Sequence, residues 1–204
     1  MSKERIVGIL TGNAIAEAFV AGDIEIDPYD PARLAPNSYD LALGPDLLVY
    51  DVQKPIHDHW EYYGPFRQSS NPDVPSSDVL DMRIKPTVAR LKIRDTGTVL
   101  WPGVLYLGST VERIHSDKYV PAIEGRSSAA RLGLHTHISA GWGDIGFDGC
   151  FTLELSATVP LRVYAGVRIC QVSFSEAVGR VEGYKGKYSG ATGPQESGLW
   201  KDFI

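Results

Sequence analysis

The sequence predicts a mainly β domain, a sandwich or jelly-roll-like barrel entered through one N-terminal helix, and three observations carry that prediction. Glycine and proline number 21 and 13 among 204 residues, one residue in six against roughly 12% in average usage, which favours short elements joined by turns. Five short strand-like runs separated by Gly or Pro fill the second half of the chain. Helical spacing is clear in one stretch only, residues 3–21.

In that stretch Ile6, Ile9, Leu10, Ala14, Ile15, Ala18 and Phe19 recur at threes and fours and stop at Gly22. One amphipathic helix fits, with a break near Thr11-Gly12-Asn13, where Asn13 is placed to cap the second half. Ile24 and Ile26 then alternate with polar residues, Pro28, Pro31 and Pro36 punctuate a loop, and Ser38-Tyr-Asp-Leu-Ala-Leu-Gly reads as a strand ending in a turn. Residues 51–98 are the least patterned part, holding His57, His59, Trp60, Tyr62 and Tyr63, and read as a long loop or hairpin insertion. The five strand candidates follow: Thr98-Val-Leu-Trp, Val104-Leu-Tyr-Leu, Phe151-Thr-Leu-Glu-Leu, Leu161-Arg-Val-Tyr and Ile169-Cys-Gln-Val-Ser-Phe. The glycine-rich tail after Gly183 reads as a mobile segment that orders over a ligand. One domain spanning 1–204 is expected, with a variable insertion at about 51–98 and a flexible C-terminal lid at about 183–204.

Charge and cysteine content narrow the function. A net charge of −5 and a pI near 5.5 exclude the basic footprint of a general nucleic-acid binder, yet leave room for a local basic pocket that takes one phosphorylated small molecule. Cys150 and Cys170 are too few for a disulfide scaffold and form no CxxC pair for zinc, so both read as reduced core thiols. With no signal-type run and no membrane-length apolar segment, the expectation is a soluble cytoplasmic protein.

Three motifs hold candidate chemistry. Glu124-Gly-Arg-Ser-Ser-Ala-Ala-Arg-Leu-Gly-Leu reads as a short helix capped by Ser127 or Ser128 and ended by Gly133, with Ser127 and Arg131 four apart on one face. It is either a surface helix with solvated arginines or an anion site. In Phe151-Thr-Leu-Glu-Leu-Ser, period two sends Phe151, Leu153 and Leu155 to the core and Thr152, Glu154 and Ser156 to the other face. Glu154 is there either a solvated side chain or a cleft-facing acid. Gly141-Trp-Gly-Asp-Ile-Gly-Phe-Asp-Gly149 is a tight glycine-rich turn, either a plain hairpin or a place where backbone and Phe147 meet a ligand. His135 and His137, two apart, fall on one side of a strand, but no third ligand of matching spacing accompanies them or the His57/His59 pair.

Taken together and in order, Glu124-Gly-Arg-Ser-Ser-Ala-Ala-Arg-Leu-Gly-Leu, Ser139-Ala-Gly-Trp-Gly-Asp-Ile-Gly-Phe-Asp-Gly and Thr152-Leu-Glu-Leu closely resemble the dCTP deaminase branch of the trimeric dUTPase superfamily. Leu34-Ala-Pro-Asn-Ser-Tyr-Asp-Leu-Ala-Leu-Gly, Trp101-Pro-Gly-Val-Leu-Tyr-Leu-Gly-Ser-Thr and Lys187-Tyr-Ser-Gly extend the resemblance, which leaves out only about residues 51–98. It implies a distorted jelly-roll that assembles as a homotrimer with sites shared between subunits. It also implies zinc-independent hydrolytic deamination of dCTP to dUTP and ammonia in the supply of dTTP precursors. The missing His-x-Glu and Pro-Cys-x-x-Cys signature of zinc deaminases agrees with this.

By that resemblance Glu154 is the proton shuttle, Ser127 holds the water or exocyclic group, and Arg131 stabilises developing charge. Arg126 and Ser128, with amides at the helix start, bind phosphate oxygens. Asp144 meets the deoxyribose 3′-hydroxyl and Phe147 packs beneath the sugar. Backbone around Thr152 and Gln171 reads the cytosine edge, Tyr184, Lys187 and Tyr188 close the tail over the nucleotide, and Mg²⁺ rides on the phosphates. The sequence departs from the family pattern at Gly143, usually Ile, at Ile145, often Pro, and at Ala191, commonly Gln, so Gln195 is the candidate for the missing tail contact. The ranked alternatives are a bifunctional deaminase and dUTPase giving dUMP and pyrophosphate, to which Ala140-Gly141 and Asp144 point, and a deaminase preferring dCMP or a modified cytosine nucleotide. A pure dUTPase and a nucleotide-sensing regulatory trimer are further alternatives.

Overall fold

A computed structural model describes residues 8–51, 80–137 and 139–204. His57, His59, Trp60, Tyr62, Tyr63 and the first residues of the expected helix lie outside them.

Residues 9 and 10 pair with the end of a sheet strand and are not helical. Ile9 bridges Ser175 and the Leu10 amide donates to the Phe174 carbonyl at 2.8 Å, so the helical period of residues 9–10 is overridden by pairing. Helix α1 covers Gly12–Val20. Its cap is Thr11, not Asn13: Thr11 has extended backbone and its hydroxyl accepts from the Ala14 amide at 3.3 Å, which places Asn13 already inside the first turn. Gly12 is required by close approach, since a Cβ there would stand 2.2 Å from the Ala35 carbonyl oxygen. The helix buries Ile15 and Ala18 in the main core.

Twelve strands follow among the described residues: β1 (Glu25–Asp27), β2 (Leu34–Ala35), β3 (Ser38–Ala42), β4 (Asp46–Tyr50), β5 (Val88–Lys92), β6 (Thr98–Leu100), β7 (Tyr106–His115), β8 (Tyr119–Gly125), β9 (Leu134–Thr136), β10 (Asp148–Ala157), β11 (Leu161–Val163) and β12 (Arg168–Glu176), with a single helical turn α2 (Ser127–Ala130) after β8. A six-stranded sheet runs β5-β4-β7-β10-β9, with β1 also on β7; a four-stranded sheet runs β2-β3-β12-β8, and β11 pairs β6 apart from both. All these pairings are antiparallel. The core lies between the two larger sheets, where Leu47, Val49, Tyr106, Ile114, Leu153 and Leu155 meet Tyr39, Leu41, Ile123, Val172 and Phe174. This is the mainly β architecture expected, and each of the five strand candidates contributes a strand.

For three of the strands without a clear sequence signal the physical reason is plain. β4 is apolar at successive positions because both of its faces are covered: Leu47 and Val49 face the main core, Leu48 and Tyr50 a second cluster with Leu107. β5 falls inside the segment read as an insertion, yet it pairs residue for residue with β4 from Asp46↔Lys92 to Tyr50↔Val88. β8 contains Pro121, which argues against a central strand; β8 is an edge strand, and the glycine-rich loop covers its open side through Ile123 N–H to the Gly141 carbonyl and Gly143 N–H to the Pro121 carbonyl.

One contact ties the sheets together. Glu112 of β7 is fully buried, accepts from the Ala42 amide of β3 at 2.9 Å and pairs with Arg33. Burial, the largest influence, pushes its carboxyl above the usual range against the pull of the Ala42 amide and Arg33. Cys150 and Cys170 are both buried free thiols, and burial pushes the Cys170 thiol far up, which makes it unreactive.

Candidate active site

Strand β10 supplies the candidate acid by its period-two alternation, just past the point where its pairing with β7 shifts register between Cys150 and Thr152. Leu153 and Leu155 stay buried, while Glu154 and Thr152 face a cavity of about 460 Å³. Phe151 differs from the period-two expectation. It packs partly on the core yet also lines the cavity, because the irregularity lets the neighbouring residues 150, 151 and 152 all reach that side.

Around Glu154 the cavity collects Asp144, Phe147, Thr152, Tyr184 and Tyr188 from the expected site, and also His137, Tyr50, Gln195 and Glu196. Phe147 stacks obliquely on Phe151 at 4.7 Å between centroids and meets Tyr184 edge-on at 5.8 Å, giving an aromatic wall. Gly146, at φ +80°, lets the tail cross the loop: a Cβ there would lie 2.9 Å from the Gly183 Cα, and the Tyr184 amide donates to the Ile145 carbonyl at 2.7 Å.

The tail lies folded across the cavity in this form. Gln195 N–H donates to the Thr152 hydroxyl at 3.1 Å, Ser197 N–H to the Tyr50 hydroxyl at 3.1 Å, and Gly198 N–H to the Tyr188 hydroxyl at 2.9 Å. Gln195 thus stands at the cavity wall. Lys187 points elsewhere, ion-paired with Asp202.

His137 is the residue whose place the sequence did not foresee. β9 ends at Thr136, and His137 adopts φ +50°, so the chain turns there; His135 stays exposed while the His137 side chain is 4% exposed and pairs through Nδ1 with Glu154. The two histidines therefore do not share a side. Tyr50 was equally hidden, since only pairing across the sheet brings it beside residues nearly 150 positions away.

The remaining expected residues form a second group on the other sheet. Ser127 and Ser128 begin α2 but do not cap it: the cap position is Arg126, extended at φ −83° and ψ 137° with no side-chain bond, so both serines lie within the turn and are exposed. Gly133, at φ +84°, ends that turn as expected. Arg131 is exposed, and Gln171 of β12 accepts from the Ser38 hydroxyl at 2.8 Å. Arg126 pairs with Asp40 at 3.0 Å. None of Arg126, Ser127, Ser128, Arg131, Gln171 or Lys187 lines the cavity, and its described lining holds three carboxylates, Asp144, Glu154 and Glu196, with no arginine or lysine.

An acid and an aromatic wall thus share one cavity, while the serine-arginine turn stands apart from it on the same two-sheet β framework. Residues 9–177 match the family model described as dCTP deaminase-like, and the chain belongs to that family, whose members are enzymes of the deaminating hydrolase type. The match runs through the segment 51–98 that the motif resemblance left out. Over 196 residues the chain is 44% identical to "dCTP deaminase, dUMP-forming" of Leptospira biflexa and 43% identical to the protein of the same name in Cytophaga hutchinsonii, in each case across 96% of this chain and 98% of the relative. A similarly named Clostridium acetobutylicum protein is 41% identical over 197 residues, 96% of this chain and 99% of the relative. Among solved structures, the 2′-deoxycytidine 5′-triphosphate deaminase of Agrobacterium tumefaciens shares the fold, with a TM-score of 0.59 and 20% identity over 85% of this chain. The chain spans about half that protein's length, 49%.

Proposed function

We propose that the chain deaminates dCTP and carries the product on to dUMP and pyrophosphate, consuming two waters and releasing one ammonia. The observation that carries this reading is the name shared by relatives at 41–44% identity over nearly their whole length, "dCTP deaminase, dUMP-forming". It supports the bifunctional reaction over dUTP release, the reverse of the order that the motifs alone suggest. Glu154 and Asp144 in one cavity supply the two acids such a sequence needs.

In this reading Glu154, freed from His137, takes a proton from the water that attacks C4 of cytosine and gives it to N3, then moves the proton of the new C4 hydroxyl to the departing amine as the C4–N bond breaks. Asp144 serves the second water, at the α-phosphorus, and Phe147 floors the deoxyribose. Mg²⁺ on the phosphates is part of the substrate. A cavity whose described lining is rich in carboxylates and holds no lysine or arginine does not by itself welcome a triphosphate. The Arg126, Ser127, Ser128 and Arg131 group of a second copy supplies the missing cations and hydroxyls, in a homotrimer whose sites lie between subunits.

The test is to incubate the protein with dCTP, dUTP or dCMP and Mg²⁺ and to follow ammonia, dUMP and pyrophosphate separately. Pyrophosphate and dUMP in step with ammonia from dCTP are expected. Ammonia with accumulating dUTP would leave deamination alone, and no ammonia from any cytosine nucleotide would remove the reading.

A further inference from the structure

Asp40 sits in the middle of β3, opposite Gln171 of β12, which in turn stands opposite Glu124 of β8. Its side chain is 9% exposed, and both carboxylate oxygens are used by guanidinium groups: Oδ1 by Nε of Arg126 at 3.0 Å and Oδ2 by Nη1 of Arg168 at 3.2 Å. Arg126 is held a second time, its Nη1 donating to the Arg168 carbonyl at 3.3 Å. The two guanidiniums are 30% and 45% exposed.

A buried carboxylate needs one cation to offset its charge. This one has two, which leaves one net positive charge beside Ser127 and Ser128 in a chain whose total is −5. Each arginine also keeps unused donors. Nε and Nη1 of Arg126 are committed, so its Nη2 group remains, and Arg168 commits only Nη1 to Asp40. Fixing one edge of a guanidinium on a rigid strand while leaving another toward solvent is how a fork for oxyanions is held ready, because the rotamer entropy is spent before the anion arrives.

We propose that Asp40 is a positioning residue that sets Arg126 and Arg168 as a paired anchor for the nucleotide's phosphates, with Arg168 as a second phosphate-binding cation. This rests on the functional reading above, in which Arg126 meets the phosphates.

The experiment uses the full chain in its native assembly, with Asp40→Asn and Arg168→Gln as variants and inorganic tripolyphosphate and deoxycytidine as separate probes. Loss of one charge-assisted contact predicts about a tenfold rise in the dCTP KM with kcat changed less than about twofold. Tripolyphosphate inhibition should weaken by the same factor, deoxycytidine binding should hold within about twofold, and Arg168→Lys should recover part of the loss. Unchanged tripolyphosphate binding in Arg168→Gln, an exposed position where folding is not at stake, overturns the anchor. So does an equal loss for tripolyphosphate and deoxycytidine, which would give Asp40 a merely structural role. If wild-type protein binds tripolyphosphate through these residues but releases no ammonia from dCTP, the anchor stands and the catalytic reading falls.

Discussion

The β10 end of the six-stranded sheet and the α2 end of the four-stranded sheet are chemical opposites. One is a concave wall of Phe147, Phe151 and Tyr184 holding carboxylates. The other is a convex turn presenting Ser127, Ser128 and Arg131 to solvent, with Arg126 and Arg168 anchored behind it on Asp40. Each half lacks what the other has. Carboxylates without cations repel a polyphosphate, and an arginine turn without a pocket cannot orient a base, which is why the proposed reading joins the two.

The strongest way to break this contrast is to neutralise the acid. Glu154→Gln should lower ammonia release by roughly 10³-fold or more while dCTP binding, followed by calorimetry, stays within a few-fold. Near-normal turnover would take Glu154 out of its role. Next comes mixing of halves: Glu154→Gln and Arg131→Gln chains, each inactive alone, should recover roughly a quarter of wild-type activity when co-assembled in equal amounts. Half of the chains offer an intact acid side, half an intact arginine side, and the two combine independently in a closed ring. No recovery would mean that both halves of a site come from one chain. Third, Asp144→Asn should separate the two steps, with dUMP formation falling about a hundredfold and ammonia release only a few-fold.

The smallest effect concerns the link between the sheets. Glu112→Gln should cost roughly 1–3 kcal/mol by disturbing the buried carboxyl's hydrogen bonds to the Ala42 amide and to Arg33. Because burial raises the folded-state value of this carboxyl, the folded protein holds the proton more tightly than the unfolded chain does. The wild type's margin over Glu112→Gln should therefore be widest below the ordinary glutamate range and shrink as pH climbs through the raised value. Urea midpoints across about pH 4–8 would show it, and a margin that widens with pH would mean that Arg33 keeps the carboxyl charged.

Much of this contrast is legible in the sequence, though unevenly. The short runs at 104–107, 151–155 and 169–174 announce strands, and the order of the serine-arginine, glycine-loop and glutamate motifs identifies the family. What stays hidden depends on long-range packing. β4 loses its period because both faces are buried, and Tyr50 gains a place at the cavity only through β4-β7 pairing. His137 shows nothing of its partner because a positive φ, not a strand, aims it. Nor does spacing tell Asp40 from any other polar strand residue. Its importance comes from Arg126 and Arg168, brought to it from 86 and 128 positions away.

The register shift at Phe151 gives β10 an unequal tolerance to genetic change. Substitutions along the strand alter one side chain at a time, and those on the cavity side leave the packed leucines untouched. A deletion of a single codon between Gly149 and Leu153 is different in kind: the surplus residues of the irregularity lie on β7, so shortening β10 would add to the mismatch, and a one-residue slip would turn Glu154 toward the space that Leu153 and Leu155 fill. In a library of point variants this stretch should look permissive outside a few positions, while in a library of one-residue deletions it should be nearly blank.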